Sequence, residues 1–508
     1  MRAPVVSGVI LVAAVLLLAG CTAPPAPEPE PDWGLSQVAD PLPLEQLAAF
    51  SGVVMLNTDA DCTGTLVDTG VPDGPAWVLT NGHCAGDLGR FDQQTTIGAA
   101  GVGHAVFLRA AGNLDATYSR DVVEVGYSTM RFTDTALVRL EGTLGELQAL
   151  GLRAVPIADD EPAPGDEVVN VGVPVQHLDE DDRVLRRGEC TLGEQQTLIE
   201  GSWTWFGAWA NDCPGIVQGS SGSPLLRLAS DGTPEAIVAV INTTTAGASR
   251  DIGGPCFLQQ PCEMHDGEAR LVVDTSYAQS VAGIGRCLDA ATGELTFGEG
   301  CPLPRGDVWV EFGGGPFRGG DLPDGVGRLP RVSLIGEEAG TVRTALVPFG
   351  DGRACLDPET YAGAEQHDLP QAGERWEVVG LELPVTLPEV EGRYHLCAVR
   401  GEAYDRAAAV LFEVDRTPPR YPASAEVLRG DDGSVFVQPH FNPPEIGSVR
   451  FTWGPKGEVD CTDTAAFEDF LIVPVAIAPD ELPATYCLYG MDFAGNPSEV
   501  TVIDIPRS

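Results

Sequence analysis

The sequence has few basic residues, since 30 lysines and arginines stand against 74 aspartates and glutamates and give a formal net charge of −44. This charge disfavours the electrostatic attraction on which nucleic-acid binding and adhesion to anionic lipid depend. We therefore predict no nucleic-acid partner. The acidic run at 179–182 lacks the spacing of an EF-hand loop, and we interpret it as solvated.

Patterns of metal ligands are also scarce. The seven histidines are scattered, and no two cysteines stand in a CxxC arrangement. Structural zinc sites are built from such closely spaced ligands. We predict that the protein uses no metal and no cofactor.

Long apolar runs are absent beyond the amino terminus. The run at 9–19 follows Met1 and Arg2 and is too short for a membrane-spanning helix, which predicts a secretion signal over residues 1–20. Its end, LAGC at 18–21, resembles the lipobox of bacterial lipoproteins. This resemblance implies cleavage before Cys21, acylation of its thiol, and an exported protein lipid-anchored to the cell envelope, at the outer membrane or cell surface. An ordinary signal peptide followed by a chance cysteine is the alternative.

The cysteine count fits an exported protein. Of the 13 cysteines, twelve remain once Cys21 is set aside, and these fall into neighbours along the chain. Six local disulfides are the natural hypothesis, although spacing does not prove connectivity, and they predict an oxidising compartment. The pairs are Cys62 with Cys84, Cys190 with Cys213, Cys256 with Cys262, Cys287 with Cys301, Cys355 with Cys397 and Cys461 with Cys487.

The chain length of 508 residues predicts about three domains of roughly 150 residues each. Residues 21–41 are rich in proline and predict an extended tether. Short β-rich runs recur over 42–286 and predict a β-barrel or sandwich, with one helix over 276–283 after a strand at 270–273. The predicted strands cover 53–56, 64–67, 77–80, 135–140, 168–172 and 237–242.

The carboxyl-terminal part has a repeated character. After a cysteine-bounded connector at 287–304, the segments 305–417 and 418–508 each carry alternating strands and one cysteine pair. The sequence DFAGNPS in the second segment resembles the last hairpin of bacterial immunoglobulin-like modules. We predict two small Ig-like β-sandwiches that anchor the protein or bind a surface ligand, with a single larger β-domain as the alternative.

Chemistry-bearing residues are concentrated in 42–286. His83 stands in WVLTNGHC, where Cys62 and Cys84 bracket two predicted strands. This segment resembles the one that carries the catalytic histidine of chymotrypsin-like serine proteases. Asp134 leads into the predicted strand of TDTALVRL, which resembles the DIAL motif of the same superfamily. It lies 134 − 83 = 51 residues after His83.

The third motif is QGSSGSPLL at 218–226, which resembles the nucleophile loop of the same proteases, in particular that of bacterial glutamyl endopeptidases. The resemblance implies Ser221 as nucleophile, His83 as base and Asp134 as the group that orients the base. It also implies an oxyanion hole formed by the amides of Gly219 and Ser221.

The resemblance covers about 45–286 and implies an all-β fold, a chymotrypsin-like double β-barrel followed by the two sandwiches. The chain departs from the trypsin-like pattern, because no IVGG precedes the first strand and Ser220 replaces the aspartate before the nucleophile. The specificity pocket is predicted at Gly215 and Ile241, with Asn242 and Thr243 beside them. These residues lack the signatures for basic or acidic substrates and favour small or apolar side chains.

The predicted function is therefore a secreted serine endopeptidase acting on protein or peptide substrates, with membrane contact only through the lipid. One alternative is a catalytically inactive, protease-like binding or adhesion protein. Another is an esterase, because the same triad hydrolyses esters.

Overall fold

The computed structural model describes residues 38–507 apart from 59, 86–94, 202, 246–255, 257–258, 266–267, 299, 306–308, 313–330, 336–339, 350–351, 370–380, 431, 441–445, 471–472 and 493. Cys21, the predicted signal and most of the predicted tether lie outside the described residues. None of the helices in this described part has the length and apolar composition that crossing a bilayer requires.

The first barrel closes through six antiparallel strands. Their order is β6-β5-β1-β2-β3-β7, a β6–β7 pairing closes the ring, and β4 adds to the outer edge of β6. The strands are β1 (Val53–Asn57), β2 (Asp61–Leu66), β3 (Pro75–Thr80), β4 (Thr95–Ala100), β5 (His104–Phe107), β6 (Tyr118–Thr129) and β7 (Thr135–Thr143). A short helix α1 (Leu144–Ala149) follows, begun by a capping box between Thr143 and Glu146.

The second barrel also closes through six strands, in the order β10-β15-β12-β11-β8-β9 with a β9–β10 pairing, and the hairpin β13–β14 extends it at β9. Its strands are β8 (Glu167–Gly172), β9 (Arg186–Glu200), β10 (Trp203–Asn211), β11 (Pro224–Leu228), β12 (Pro234–Thr244), β13 (Cys262–His265), β14 (Glu268–Leu271) and β15 (Ser276–Ser280). The predicted double β-barrel is confirmed.

The predicted helix over 276–283 is wrong. Residues Ser276–Ser280 form β15, which pairs with β10 on one side and β12 on the other and so completes the second barrel. Tertiary pairing prevails over a weak local preference here, because without this strand the edges of β10 and β12 would stay unpaired.

The apolar runs of β1 and β3 are continuous because both strand faces are covered. Val54 and Val78 point into the core of the first barrel. Met55 and Leu79, on the opposite faces, join Ile237 in a core that both barrels share. Side chains of a strand alternate between its faces, so two separate cores require an uninterrupted apolar sequence.

The segment predicted as a connector, 287–304, packs against the barrels. Cys287 and Leu303 belong to the shared core, and the indole N–H of Trp77 donates to the carbonyl of Gly293 at 2.9 Å. This segment thereby covers part of the shared core before the chain continues into the sandwiches.

Two β-sandwiches follow, each with a three-stranded and a four-stranded sheet. The strand orders are β16-β17-β20 and β19-β18-β21-β22 in the first, and β23-β24-β27 and β26-β25-β28-β29 in the second. The two orders coincide when seven is added to each strand number, which agrees with the duplication predicted from the sequence.

The strands of the first sandwich are β16 (Trp309–Phe312), β17 (Arg331–Ile335), β18 (Gly340–Pro348), β19 (Gln366–Leu369), β20 (Leu381–Pro384), β21 (Gly392–Arg400) and β22 (Ala408–Val414). Those of the second are β23 (Ser424–Arg429), β24 (Val435–His440), β25 (Ser448–Pro455), β26 (Glu468–Asp469), β27 (Val475–Ile477), β28 (Ala484–Met491) and β29 (Thr501–Ile505).

All twelve cysteines after Cys21 form disulfides, in the six pairs that neighbour order along the sequence predicts. The bond between Cys62 and Cys84 joins β2 to the turn that follows β3 and closes a separation of 22 residues. Such a bond disfavours the unfolded chain by restricting it.

Replacing both Cys62 and Cys84 by serine should lower the free energy of unfolding of the barrels by about 3 kcal/mol. The turn that holds His83 loses its tie to β2 in this variant. Urea unfolding followed by tryptophan fluorescence measures the change. The matched control replaces Cys461 and Cys487, a bond of similar separation, 26 residues, in the last sandwich. Equal loss of barrel stability in both variants would contradict the prediction that the Cys62–Cys84 bond stabilises the barrels specifically.

Candidate active site

His83 lies in a short 3-10 turn, Gly82–Cys84, directly after β3. Gly82 has no room for a side chain, because a Cβ there would come within 2.0 Å of the Thr129 carbonyl oxygen. The Gly82 carbonyl also accepts a hydrogen bond from the Ser128 hydroxyl at 3.0 Å. The end of β6 and the Cys62–Cys84 bond therefore fix this turn from two sides.

Asp134 orients the histidine. Its carboxylate accepts from the His83 ring at Nδ1 over 2.7 Å and from the His83 backbone N–H over 3.1 Å. The Asp134 side chain is fully buried, while the His83 side chain is 26% exposed. The Asn81 amide donates to the Asp134 carbonyl at 2.9 Å and fixes the backbone as well. This arrangement leaves Nε2 of the ring as the nitrogen available for proton transfer.

The loop that carries Ser221 turns sharply at two glycines, Gly219 with φ of 94° and Gly222 with φ of 82°. A Cβ at Gly222 would meet the Thr63 carbonyl oxygen at 1.9 Å. Backbone in this left-handed region and so close to another strand favours glycine. The two glycines thus let the loop approach β2 of the opposite barrel.

Thr63 of β2 is the residue that this loop contacts. Its backbone N–H donates to the Ser221 carbonyl at 2.7 Å, and its hydroxyl donates to the Gly219 carbonyl at 2.9 Å. The same hydroxyl accepts from the Val173 N–H at 2.9 Å. Thr63 therefore binds the nucleophile loop and the end of β8 at once.

Two backbone N–H groups of the loop are free to bind a ligand. The Ser220 N–H donates to the Val217 carbonyl at 2.9 Å, and the Ser223 N–H donates to the Ser220 carbonyl at 2.9 Å. The Gly222 N–H donates to the Ile241 carbonyl at 2.8 Å. Among the described residues, the N–H groups of Gly219 and Ser221 have no such acceptor.

The orientation of one of these free amides follows from its own peptide group. The carbonyl of Gln218 accepts from the N–H groups of Val175 and Gln176. Since N–H and C=O of a trans peptide point in opposite directions, the Gly219 N–H points away from these residues. Two unpaired amides around a serine are what an oxyanion hole requires.

The structure joins His83 to Asp134 and holds Ser221, in the turn before β11, against Thr63 of β2. The Ser221 carbonyl accepts a hydrogen bond from Thr63, which follows Cys62 in the sequence. The disulfide of Cys62 then leads to Cys84, next to His83. Within the described part of the chain, the Ser221 hydroxyl makes no hydrogen bond to the His83 ring. Contacts of this kind are often long without substrate and shorten in the complex.

Glu200, at the end of β9, acts on the same histidine. Its carboxylate accepts from the Thr243 hydroxyl at 2.6 Å and from the Gln259 N–H at 2.8 Å. Burial raises the pKa of the Glu200 carboxyl above its usual value. The two hydrogen bonds and the nearby His83 lower this pKa, but their effect is smaller than that of burial.

Opposing effects set the pKa of His83. Burial favours the neutral ring and lowers this pKa, while the charge and hydrogen bond of Asp134, together with the charge of Glu200, raise it. The net result is a pKa above the ordinary 6.5. A raised pKa strengthens the ring as a base once it is neutral.

Three of the four residues predicted for the specificity pocket lie in β12, which contacts the nucleophile loop through Ile241. Ile241 is buried in the core of the second barrel, and its N–H donates to the Ser223 carbonyl at 2.9 Å. Asn242 is buried and Thr243 partly exposed. Neither polar atom of the Asn242 side-chain amide has a hydrogen-bond partner among the described residues.

Gly215 lies under the chain that precedes β1. A Cβ at this position would come within 2.1 Å of the Ala39 backbone nitrogen. The guanidinium of Arg186 donates to the Ala39 carbonyl at 2.9 Å and holds that segment in place. A larger residue at 215 would therefore displace the segment that contains Ala39.

Sequence reasoning missed Thr63 and Glu200. Thr63 directly follows Cys62 in the sequence CTGTLV, and nothing local marks its long-range contacts. Glu200 ends a strand with no motif around it. A glutamate that is 6% exposed is unusual without partners, but burial is not readable from one position of one sequence.

Among the described residues, one group of three potential metal ligands lies together, formed by Cys62, His83 and Cys84. Both cysteines are bonded to each other, so neither thiolate is available to a metal.

Two six-stranded barrels with the histidine and aspartate on one and the serine on the other have the architecture of the chymotrypsin-like serine proteases. The family model of the trypsin-like peptidase domain matches residues 62–237, so this part of the chain is similar to that family. The match supports a serine protease, a hydrolase of peptide bonds.

Two solved structures resemble the chain over about half its length. A thermostable serine protease from an extremophilic microorganism is 17% identical, with 47% of this chain and 94% of that chain covered and a TM-score of 0.31. A Glu endopeptidase in complex with MPD is 14% identical, with 49% and 94% covered and a TM-score of 0.29. No curated protein matches the sequence significantly.

The charge of Glu200 should be visible in the pH dependence of catalysis. His83 must be neutral to accept a proton, so kcat/KM should fall as the pH drops through its raised pKa. Glu200→Gln removes one of the charges that raise this pKa and should move the acid limb to lower pH. The control is Glu263→Gln, another buried glutamate, which binds Tyr277 and His265 instead. An equal shift in both variants, or none in either, would contradict the role of Glu200.

Proposed function

We propose that the protein is an active serine endopeptidase that uses Ser221, His83 and Asp134. The observation that carries this proposal is the pair of unpaired amides at Gly219 and Ser221 beside an oriented His–Asp pair. A fold kept only for binding requires neither feature.

The reaction follows from these groups. Nε2 of His83 accepts the Ser221 proton while Oγ bonds to the substrate carbonyl carbon, and the amides of Gly219 and Ser221 bind the oxyanion. The C–N bond breaks as the imidazolium returns its proton to the leaving amine. A water molecule, deprotonated by the same ring, then bonds to the acyl carbon. The C–O bond to Ser221 breaks as the imidazolium returns this proton to Oγ, and Asp134 stabilises the charged ring in both steps.

The nucleophile is tested with a fluorophosphonate probe on the full chain. Wild type should be labelled, and Ser221→Ala should lose the label and lose turnover by about a million-fold. Ser230→Ala, an exposed serine between β11 and β12, is the matched control and should label as wild type does. An unlabelled wild type, or labelled Ser221→Ala, would favour the inactive binding protein. Peptide and ester substrates assayed in parallel separate an endopeptidase from an esterase.

We further propose that the protein is exported and anchored to the envelope through a lipid on Cys21, with no other membrane contact, and that the sandwiches bind a surface ligand. The motif LAGC at 18–21 supports the anchor. One saturated acyl chain gives only weak membrane binding, so stable anchoring requires more than one chain.

Cys21→Ser should abolish incorporation of labelled palmitate and move the protein from the membrane fraction to the soluble fraction of an expressing bacterium. The control is Thr22→Ser, next to the site, which should keep both the label and the membrane fraction. Palmitate incorporation that persists in Cys21→Ser would refute the anchor without touching the proposed catalysis.

A further inference from the structure

The first sandwich contacts the loop that presents the catalytic aspartate. This loop, 130–134, joins β6 to β7 and has Asp134 as its last residue. Just before it, the Tyr127 hydroxyl donates to the carbonyl of Pro304, at the start of the chain leading into the sandwich, over 2.6 Å.

Arg131 makes the central contact. Its side chain is almost fully buried, with 1% of the residue exposed. Its guanidinium donates to the Arg305 carbonyl at 3.3 Å and to the Arg406 carbonyl in the sandwich at 3.4 Å. It also lies 4.9 Å from the centre of the Phe132 ring. A buried charge is costly unless such groups bind it, so Arg131 favours the docked sandwich strongly over an undocked one.

Phe132 extends the contact. Its ring packs against a sandwich cluster that includes Cys355 and Tyr361. It lies 5.6 Å from the ring of Phe206 on β10, which in turn lies 6.0 Å from the ring of His395 on β21. The Phe132 carbonyl accepts from the Phe206 N–H at 2.9 Å. The loop is thus held between the second barrel and the sandwich.

The backbone of the loop needs this support. Phe132 has φ of 61°, a left-handed conformation that a bulky side chain rarely adopts. Conformations of this kind persist only where the surroundings determine them. Part of those surroundings belongs to the sandwich, and Asp134 follows two residues later.

We propose that the first sandwich is part of the catalytic unit and positions Asp134 through Arg131 and Phe132. Arg131 is then a positioning residue, three residues from the carboxylate that orients His83. This inference rests on the proposed function, because it concerns the efficiency of the same triad. It also revises the expectation that the sandwiches serve only in anchoring or recognition.

The test uses full-length variants and a peptide substrate. Arg131→Met keeps most of the side-chain volume but removes the charge and the two carbonyl contacts. We expect kcat to fall about 10- to 100-fold, the cost of a small misplacement of a catalytic group, with KM nearly unchanged. The acid limb of the pH profile should move to lower pH, because a displaced Asp134 no longer raises the pKa of His83. Arg131→Lys should recover part of both effects.

The matched control is Arg393→Met in the same sandwich, where Arg393 pairs with Glu413 at 3.1 Å. It should leave kcat and the pH profile as in wild type. Hydrogen exchange of the peptide spanning 129–137 should rise in Arg131→Met and not in the control. If Arg131→Met fails to fold, Phe132→Leu decides, because it removes the ring contacts with β10 and the sandwich, and an unchanged kcat and pH profile in the folded variant would overturn the proposal.

The wild-type result distinguishes failure of the proposed function from failure of the positioning role. Wild type that neither labels nor hydrolyses peptides refutes the proposed function itself. An active wild type with Arg131 variants that behave like Arg393→Met refutes only the positioning role.

Discussion

The contacts of Thr63 fix how the two barrels meet, and the rest of the site depends on them. One residue of β2 binds the backbone on either side of the nucleophile, through Ser221 and Gly219. Its carbonyl accepts from the Thr80 hydroxyl at 2.7 Å, three residues before His83. The segments that carry the base and the nucleophile are therefore both hydrogen-bonded to the same short stretch of β2, although they lie far apart in the sequence.

This constraint explains the glycines and the disulfide together. Gly222 allows the loop to approach the Thr63 carbonyl closely, and the Cys62–Cys84 bond prevents the His83 turn from drifting away from β2. A rigid frame of this kind matters because oxyanion donors act only when they are in place before the reaction begins. The stability of the barrels and the proposed catalysis therefore depend on the same contacts.

The β-rich character of the barrels and the disulfide pairs could be predicted because both depend on local order in the sequence, whereas the double barrel followed from the resemblance of the motifs around His83, Asp134 and Ser221. The continuous apolar runs of β1 and β3 reflect covering on both strand faces, and neighbouring cysteines pair because the chain between them is short. The strand β15 was missed because only its partners β10 and β12 make it a strand. Thr63, Glu200 and Arg131 were missed for a related reason, since their importance arises from contacts with distant segments that carry no local signal.

The buried guanidinium of Arg131 donates to main-chain oxygens at Arg305 and Arg406. Any amino acid supplies such an oxygen, so the sandwich could diverge at both positions without losing the contact. Comparison of sequences would then show no covariation across this junction. Grafting a different sandwich onto the barrels would preserve the junction only if the new backbone followed the same path.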